Sequence, residues 1–308
     1  MDAKGAHWHL RSVPAADASL LFDSAFLAKL EQLALLARRL HRGTQRAERR
    51  SRQVGSSLEF ADYRNYSWGD EPRTIDWAVY ARLDRLFVKL FEQERDLDVH
   101  FLVDASESMR LGTKLDQAAR IAAALSYIAL ANLDRVNVAW FDAALGDDTG
   151  LLRGKSNFHA ILEFLRTPPP ATGPTALRTS LHAFCQRLKR RGLVFVVSDL
   201  FDPAGYDEAL SLLRYHQFEV HVIQVLDPVE LHPALRGDLR LTECESRATW
   251  DVTATDSLVR AYEDEVARFL ADLETFCHRR AIGYAQAPSD VPFEDLVLRV
   301  LRAGVMVA

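Results

Sequence analysis

Asp98-Val99-His100-Phe101-Leu102-Val103-Asp104-Ala105-Ser106-Glu107-Ser108-Met109 is the stretch on which the fold turns. Val99, Phe101, Leu102 and Val103 make a short apolar run of β-branched and aromatic residues, the composition of a buried strand. The run stops at a carboxylate, Asp104. Two hydroxyls follow at alternate positions, Ser106 and Ser108, and a long helical pattern begins after Gly112. A strand that delivers Asp-x-Ser-x-Ser into the loop before a helix gathers three small oxygen ligands around one point. In open α/β sheets that point, beyond the carboxyl ends of the strands, is where ligands bind. One carboxylate with neutral hydroxyls suits a hard divalent cation that keeps part of its water, as Mg²⁺ does.

Downstream, strand and helix patterns alternate, the signal for βαβ units and a mainly parallel sheet. After strand 98–103 the pattern predicts a helix over 114–132, opened by Thr113 and Asp116 at capping-box spacing. A strand over Arg135–Phe141 and a helix over 156–166, broken by Pro168-Pro169-Pro170, come next. A helix over 176–191 is expected to end at Gly192 as a left-handed stop. Leu193–Val197 reads as another buried strand and also ends in a polar pair, Ser198-Asp199. Helix 206–216, strand 218–226, a small hairpin near 236–252, helix 255–280, strand 282–285 and helix 292–302 complete the pattern. Upstream, leucines at 20, 21, 27, 30, 33, 36 and 40 recur at helical spacing.

Parallel strands put their carboxyl ends on one edge, so Asp104 and Asp199 can converge. Thr172-Gly173-Pro174-Thr175 precedes a helix and would present its hydroxyls to the same edge. A capping role explains any one of these residues as well as a ligand role does. For all five of Asp104, Ser106, Ser108, Thr175 and Asp199 on one edge, the ligand role is the better explanation.

The composition sets limits. The 308 residues are 48% hydrophobic and 26% charged, ample for a full core. The net charge of −5 argues against nucleic acid as a partner. Cys185, Cys244 and Cys277 are odd in number and far apart, which suggests neither a disulfide framework nor a zinc site and fits a reducing cytoplasm. The first twenty residues carry no uninterrupted apolar core, and the longest nearly apolar run, 121–133, falls short of the about 20 residues a membrane span needs. The seven arginines of Arg38–Arg52 read more readily as a solvated helix end and linker than as a polyanion patch.

The order and spacing of Asp104-x-Ser106-x-Ser108, Thr175 and Asp199 resemble the metal-ion-dependent adhesion site of von Willebrand factor type A domains. The resemblance implies that the Ser and Thr hydroxyls hold Mg²⁺ (or Mn²⁺) directly. It also implies that the carboxylates act directly or through water, and that an acidic residue of a partner completes the shell. Many relatives carry an acidic residue or Asn after the Thr; Ala176 stands here, which implies a weaker outer shell with the primary ligands kept. Upstream, Arg64-x-Tyr66-x-x-Gly69-Asp70-x-x-Arg73-x-Ile75-Asp76-Trp77 looks like the signature of the bacterial domain-of-unknown-function family fifty-eight. That family is type-A-like and often encoded beside MoxR-type AAA+ ATPases. The implied architecture is an α/β, Rossmann-like, mainly parallel sheet (96–308) with an N-terminal helical and aromatic extension (1–95) packed on it. The implied function is a metal-dependent, chaperone-like adaptor for a MoxR-type ATPase and an unknown client, without catalytic residues.

In the same string Asp62, Arg64, Asp70, Arg73, Asp76 and Arg82 alternate in sign among Tyr63, Tyr66, Trp68 and Trp77. A charge-paired, aromatic-packed brace is the expected role, ahead of a docking surface. Two enzymatic signals fail. Gly150-Leu-Leu-Arg-Gly154-Lys155-Ser156 has three residues between its glycines where a phosphate-binding loop has four. A phosphatase built on an Asp nucleophile needs a second Asp two residues on, where Ser106 stands, so the acid/base role of a Mg²⁺-dependent phosphoester hydrolase has no candidate. The histidines, including His159, His182, His216 and His221, have no metal-ligand spacing. Cys185 and Cys277 read as packing residues. A metal-independent scaffold is the remaining alternative.

Overall fold

Val99, Phe101 and Val103 pack against one set of helices and Leu102 against another, which is why their strand shows no polar alternation. This emerges from a computed structural model that describes residues 21–48, 59–92, 97–171, 173, 175–188, 190–242 and 248–302. The chain forms two compact units, residues 1–42 with 97–308 and residues 43–96.

In chain order, helix α1 spans Ser24–Glu48, strand β1 Glu59–Asn65, α2 Trp77–Leu83, β2 Phe87–Glu92, β3 Asp98–Asp104, α3 Lys114–Ala131 and β4 Arg135–Phe141. Two short strands follow, β5 Leu145–Asp148 and β6 Leu152–Arg153, then α4 Phe158–Arg166, α5 Leu177–Arg187, β7 Leu193–Ser198, α6 Asp207–Tyr215 and β8 Glu219–Leu226. The chain continues with α7 Pro228–Leu231, β9 Gly237–Thr242, β10 Thr249–Ala254, α8 Asp256–Arg279, β11 Gly283–Pro288 and α9 Phe293–Arg302.

In the larger unit the sheet order is β11-β8-β7-β3-β4-β5, with β6 also on β4. All pairs from β11 to β4 are parallel; β5 and β6 are antiparallel to β4. The expected α/β class with a mainly parallel sheet flanked by helices is therefore what forms. The two antiparallel edge strands are an addition that sequence reading missed. On one face, Val99, Phe101, Val103, Phe195 and Val197 pack with residues of α1, α3, α4 and α9. On the other, Leu102, Val194, Val196, Val220 and Val222 pack with α5, α6 and α8. Helix α3 is buried almost all round, as its apolar sequence requires.

Phe26, Leu30 and Leu33 are buried within the first of these cores. Helix α1 thus belongs largely with the main unit; one unit boundary, at 96/97, lies beside the expected 95/96, and a further one falls at 42/43. The side chains of Arg38–Arg52 lie outside the described residues, as do Thr172, Pro174 and Cys244.

Helix α4 ends at Arg166, just ahead of the three prolines. Helix α5 stops at Arg187, with Leu188 extended, rather than reaching Gly192. Gly192 is not a left-handed stop. A Cβ there would stand 2.2 Å from the Asp98 carbonyl oxygen, so the residue serves a close backbone approach beneath β3. Thr113 makes no side-chain cap bond among the described residues. The capping box sits instead at Asp227 and Glu230, around α7. The hairpin pairs β9 with β10, Trp250 facing Leu241.

In the smaller unit, β1 and β2 pair antiparallel. Arg64 pairs with Asp70 at 2.7 Å. Asp76 caps α2 by accepting from the Ala78 and Val79 amides, and also accepts from the Tyr63 hydroxyl at 2.7 Å. Charge pairing is present within this unit, and so is some aromatic packing, Tyr63 edge-on to Phe87 and Trp77 edge-on to Tyr80, but Trp68 is 99% and Trp77 60% exposed.

Candidate functional site

Adjacent parallel strands β3 and β7 send their chains to opposite faces of the sheet. β3 leads to α3 and β7 to α6, which lie in the two different cores. The crevice beyond two such strand ends is where open α/β sheets bind ligands. Asp104 ends β3, Ser198 ends β7 with Asp199 next, and all three are fully buried.

Asp104 Oδ1 accepts from the Ser106 amide at 2.9 Å, and Oδ2 from the Ser198 hydroxyl at 2.6 Å. Burial pushes the Asp104 carboxyl up to about 7, and the nearby Asp199 charge adds to the rise; the hydrogen bonds from Ser198 and Ser106 pull the other way. The Ser106 and Ser108 hydroxyl oxygens are 3.1 Å apart. Ser106 is fully buried and Ser108 begins a single 3₁₀ turn with buried Met109.

Thr175 lies on the same edge and is nearly buried. Its segment is fixed on both sides: the Ala176 amide donates to the Asp142 carbonyl after β4, and the Leu177 amide to Asp202 Oδ2 after β7. Asp104, Ser106, Ser108 and Asp199 are thus joined by direct contacts or close charge, with Thr175 on the neighbouring loop.

Lys114, which the sequence reading passed over, completes the site. It is fully buried, and its ammonium donates to Asp199 Oδ2 at 2.8 Å and to Glu230 Oε1 at 2.6 Å. Burial disfavours its charge, but the Asp199 and Glu230 carboxylates outweigh that penalty and hold its pKa above the ordinary lysine value. The other Asp199 oxygen accepts from the Phe201 amide. Glu230 belongs to the α7 capping box, and the Asp227 carboxylate packs so closely on Gly112 that a Cβ there would meet it at 2.1 Å. Gln224, also fully buried, donates to the Asp199 carbonyl and accepts from the Tyr284 hydroxyl. Loops after β3, β7 and β8 therefore meet at Lys114. The signal for it was faint: a lysine opening a mostly apolar helix, soon after the Asp-x-Ser-x-Ser loop.

The donor set fits a hard cation. All the candidate donors are oxygens, as Mg²⁺ prefers. Neighbouring ligands of an octahedral ion, each about 2.1 Å from it, stand about 3.0 Å apart, close to the separation of the Ser106 and Ser108 hydroxyls. Asp199, already held by Lys114 and the Phe201 amide, suits an indirect role better than a direct one. No cluster of three or more His, Cys, Asp or Glu suited to a metal occurs among the described residues. Cys185 and Cys277 are buried, and burial pushes their thiols up to about 11 and about 12, which leaves them inert.

A family model described as "Protein of unknown function DUF58" matches residues 62–270. Uncharacterized proteins of Mycobacterium bovis and Mycobacterium tuberculosis are each 28% identical over 255 residues, covering 81% of this chain and 79% of their own length. Among solved structures, the chain is similar to the conserved hypothetical protein BatB of Bacteroides thetaiotaomicron. Identity there is 13% and the TM-score 0.43, covering 67% of this chain and 96% of that one. An aerotolerance-related membrane protein of Bacteroides fragilis gives 13% identity and a TM-score of 0.40, over 67% and 99%. No helix among the described residues is long and apolar enough to cross a membrane.

Proposed function

The chain belongs to the DUF58 family of proteins of unknown function, and from that premise we propose that it is a metal-dependent protein-binding adaptor rather than an enzyme. The observation that carries this reading is the pair of hydroxyls, Ser106 and Ser108, 3.1 Å apart beside buried Asp104 at the β3–β7 crevice. Ser106, Ser108 and Thr175 would hold Mg²⁺ or Mn²⁺, with Asp104 and Asp199 orienting ligands and balancing charge. A bound cation supplies a Lewis-acidic position that an acidic side chain of a partner can fill. By resemblance the partner is a MoxR-type AAA+ ATPase, with a client protein as the source of the carboxylate. The setting would be the cytoplasm, where such an ATPase finds its nucleotide.

Calorimetric titration of Mg²⁺ and Mn²⁺ into chelator-stripped protein tests the reading. One-to-one binding, lost in Ser106→Ala, is expected. Capture of a purified MoxR-type ATPase should fall in the same variant and in chelator. Capture indifferent to both would overturn the metal-dependent reading. It would favour a metal-independent scaffold, for which the internal Lys114–Asp199 pair speaks, since it already neutralises one carboxylate of the site.

A further inference from the structure

Lys114 is the one described lysine that is fully buried, and no proposed ligand role uses it. Its ammonium is shared between Asp199, a member of the site, and Glu230 on α7, 116 residues further along. We propose that Lys114 is a resident cation that competes with the divalent ion for the charge of Asp199 and so sets the metal affinity of the site; this rests on the metal-binding reading above.

A carboxylate cannot serve two cations in full. With its Oδ2 given to the ammonium at 2.8 Å, Asp199 offers a nearby Mg²⁺ less negative potential than an unpaired carboxylate would. Asp104 stands close enough to Asp199 for their charges to interact, so the lysine's field reaches the position between them. Glu230 acts in the opposite sense. It draws the ammonium toward α7, and α7 is itself pinned by the Asp227 packing on Gly112. The proposal gives the site an adjustable occupancy: whatever shifts α7 moves the counter-ion of Asp199.

Two variants separate this from a purely structural brace. Lys114→Met should tighten Mg²⁺ binding by about tenfold or more in calorimetry, because an opposing charge is removed from a buried site. Glu230→Gln, which keeps the lysine on Asp199 with less to balance it, should weaken Mg²⁺ binding several-fold. The second variant removes a group at the rim, so it keeps the test open if Lys114→Met fails to fold. Binding by the wild type that is unchanged or weaker in Lys114→Met, or unchanged in Glu230→Gln, overturns the proposal while leaving the metal site standing. Binding by Lys114→Met alone supports it strongly. Absence of binding in every form overturns both this proposal and the metal reading.

Discussion

His100 illustrates how much a single side chain can cost or contribute in this sheet. It sits in β3 between hydrogen-bonded neighbours, is 1% exposed, and lies edge-on to Phe184 at 5.2 Å. Neither ring nitrogen has a hydrogen-bond partner among the described residues. Burial pushes its pKa down to about 4 from an ordinary value of 6.5, with Asp148 opposing the shift and Arg135 adding to it. The folded chain therefore holds His100 neutral where the unfolded chain would take a proton. The penalty is absent above pH 6.5 and grows as the pH falls from 6.5 through 4, reaching about 3 kcal/mol. Asp104, raised to about 7, works in the opposite direction over the same range, so the difference between the two proteins is what tests the assignment. The urea midpoint of His100→Leu should gain on that of the wild type as the pH falls from 7 to 4, and a constant difference would contradict it. At this scale the sequence was partly legible. Asp104, Ser106 and Ser108 stood out because a buried strand ended on them. Lys114 and Glu230 did not, because a lysine and a glutamate in a helix are ordinarily solvated and only the fold brings them together 116 positions apart. Gly192 was noticed for the wrong reason: its need is space under a carbonyl, which no local pattern encodes.

Among the elements, the strands buried on both faces were readable as apolar runs, unbroken in β7 and interrupted by a polar residue or two in β3, β4 and β8, and their boundaries fell within a few residues of expectation. β5 and β6 were not, since Leu145–Asp148 and Leu152–Arg153 are too short and too polar to show a period. The capping signal misled at Thr113, and the capping box that does form, at Asp227 with Pro228 fixing the first helical position, was not anticipated from the sequence. In the smaller unit, Asp76 and Arg64 make different predictions. Asp76 satisfies two amides of α2 and the Tyr63 hydroxyl, so Asp76→Ala should cost about 1–2 kcal/mol. Arg64 holds Asp70 in a partly solvated pair, so Arg64→Ala should cost about 0–1 kcal/mol. Thermal melting of both variants checks the order. An Asp76→Ala protein as stable as wild type, yet unable to capture the ATPase, would turn this segment from a brace into a docking surface.

The whole molecule is organised by a sheet with a separate core on each face. The sequence announced this through its alternating strand and helix patterns, but it did not reveal where the N-terminal helix belonged. An amphipathic helix far ahead of the sheet reads equally well as part of an extension. Leu30, 1% exposed in the main core, settles its membership. Leu30→Ala should therefore destabilise the main unit by about 2–5 kcal/mol, seen as a shift of its urea midpoint. A change confined to local fraying, with the midpoint held, would restore the helix to the extension.

The central position of β3 carries a consequence for how the protein comes into being. β3 pairs on one side with β4, its near neighbour in the chain, and on the other with β7, so the Ser198–Asp104 bond spans 94 positions. Pairing with β4 needs only the α3 crossover, whereas joining β7 must first close a loop of about ninety residues, an entropic cost that sets folding speed. During synthesis, until residues 193–230 have emerged, Asp104 lacks Ser198 and Lys114 lacks both of its carboxylates. The crevice between Asp104 and Asp199 is complete only once β7 has joined β3. A complete crevice is thereby a report that the two distant halves of the sheet have paired.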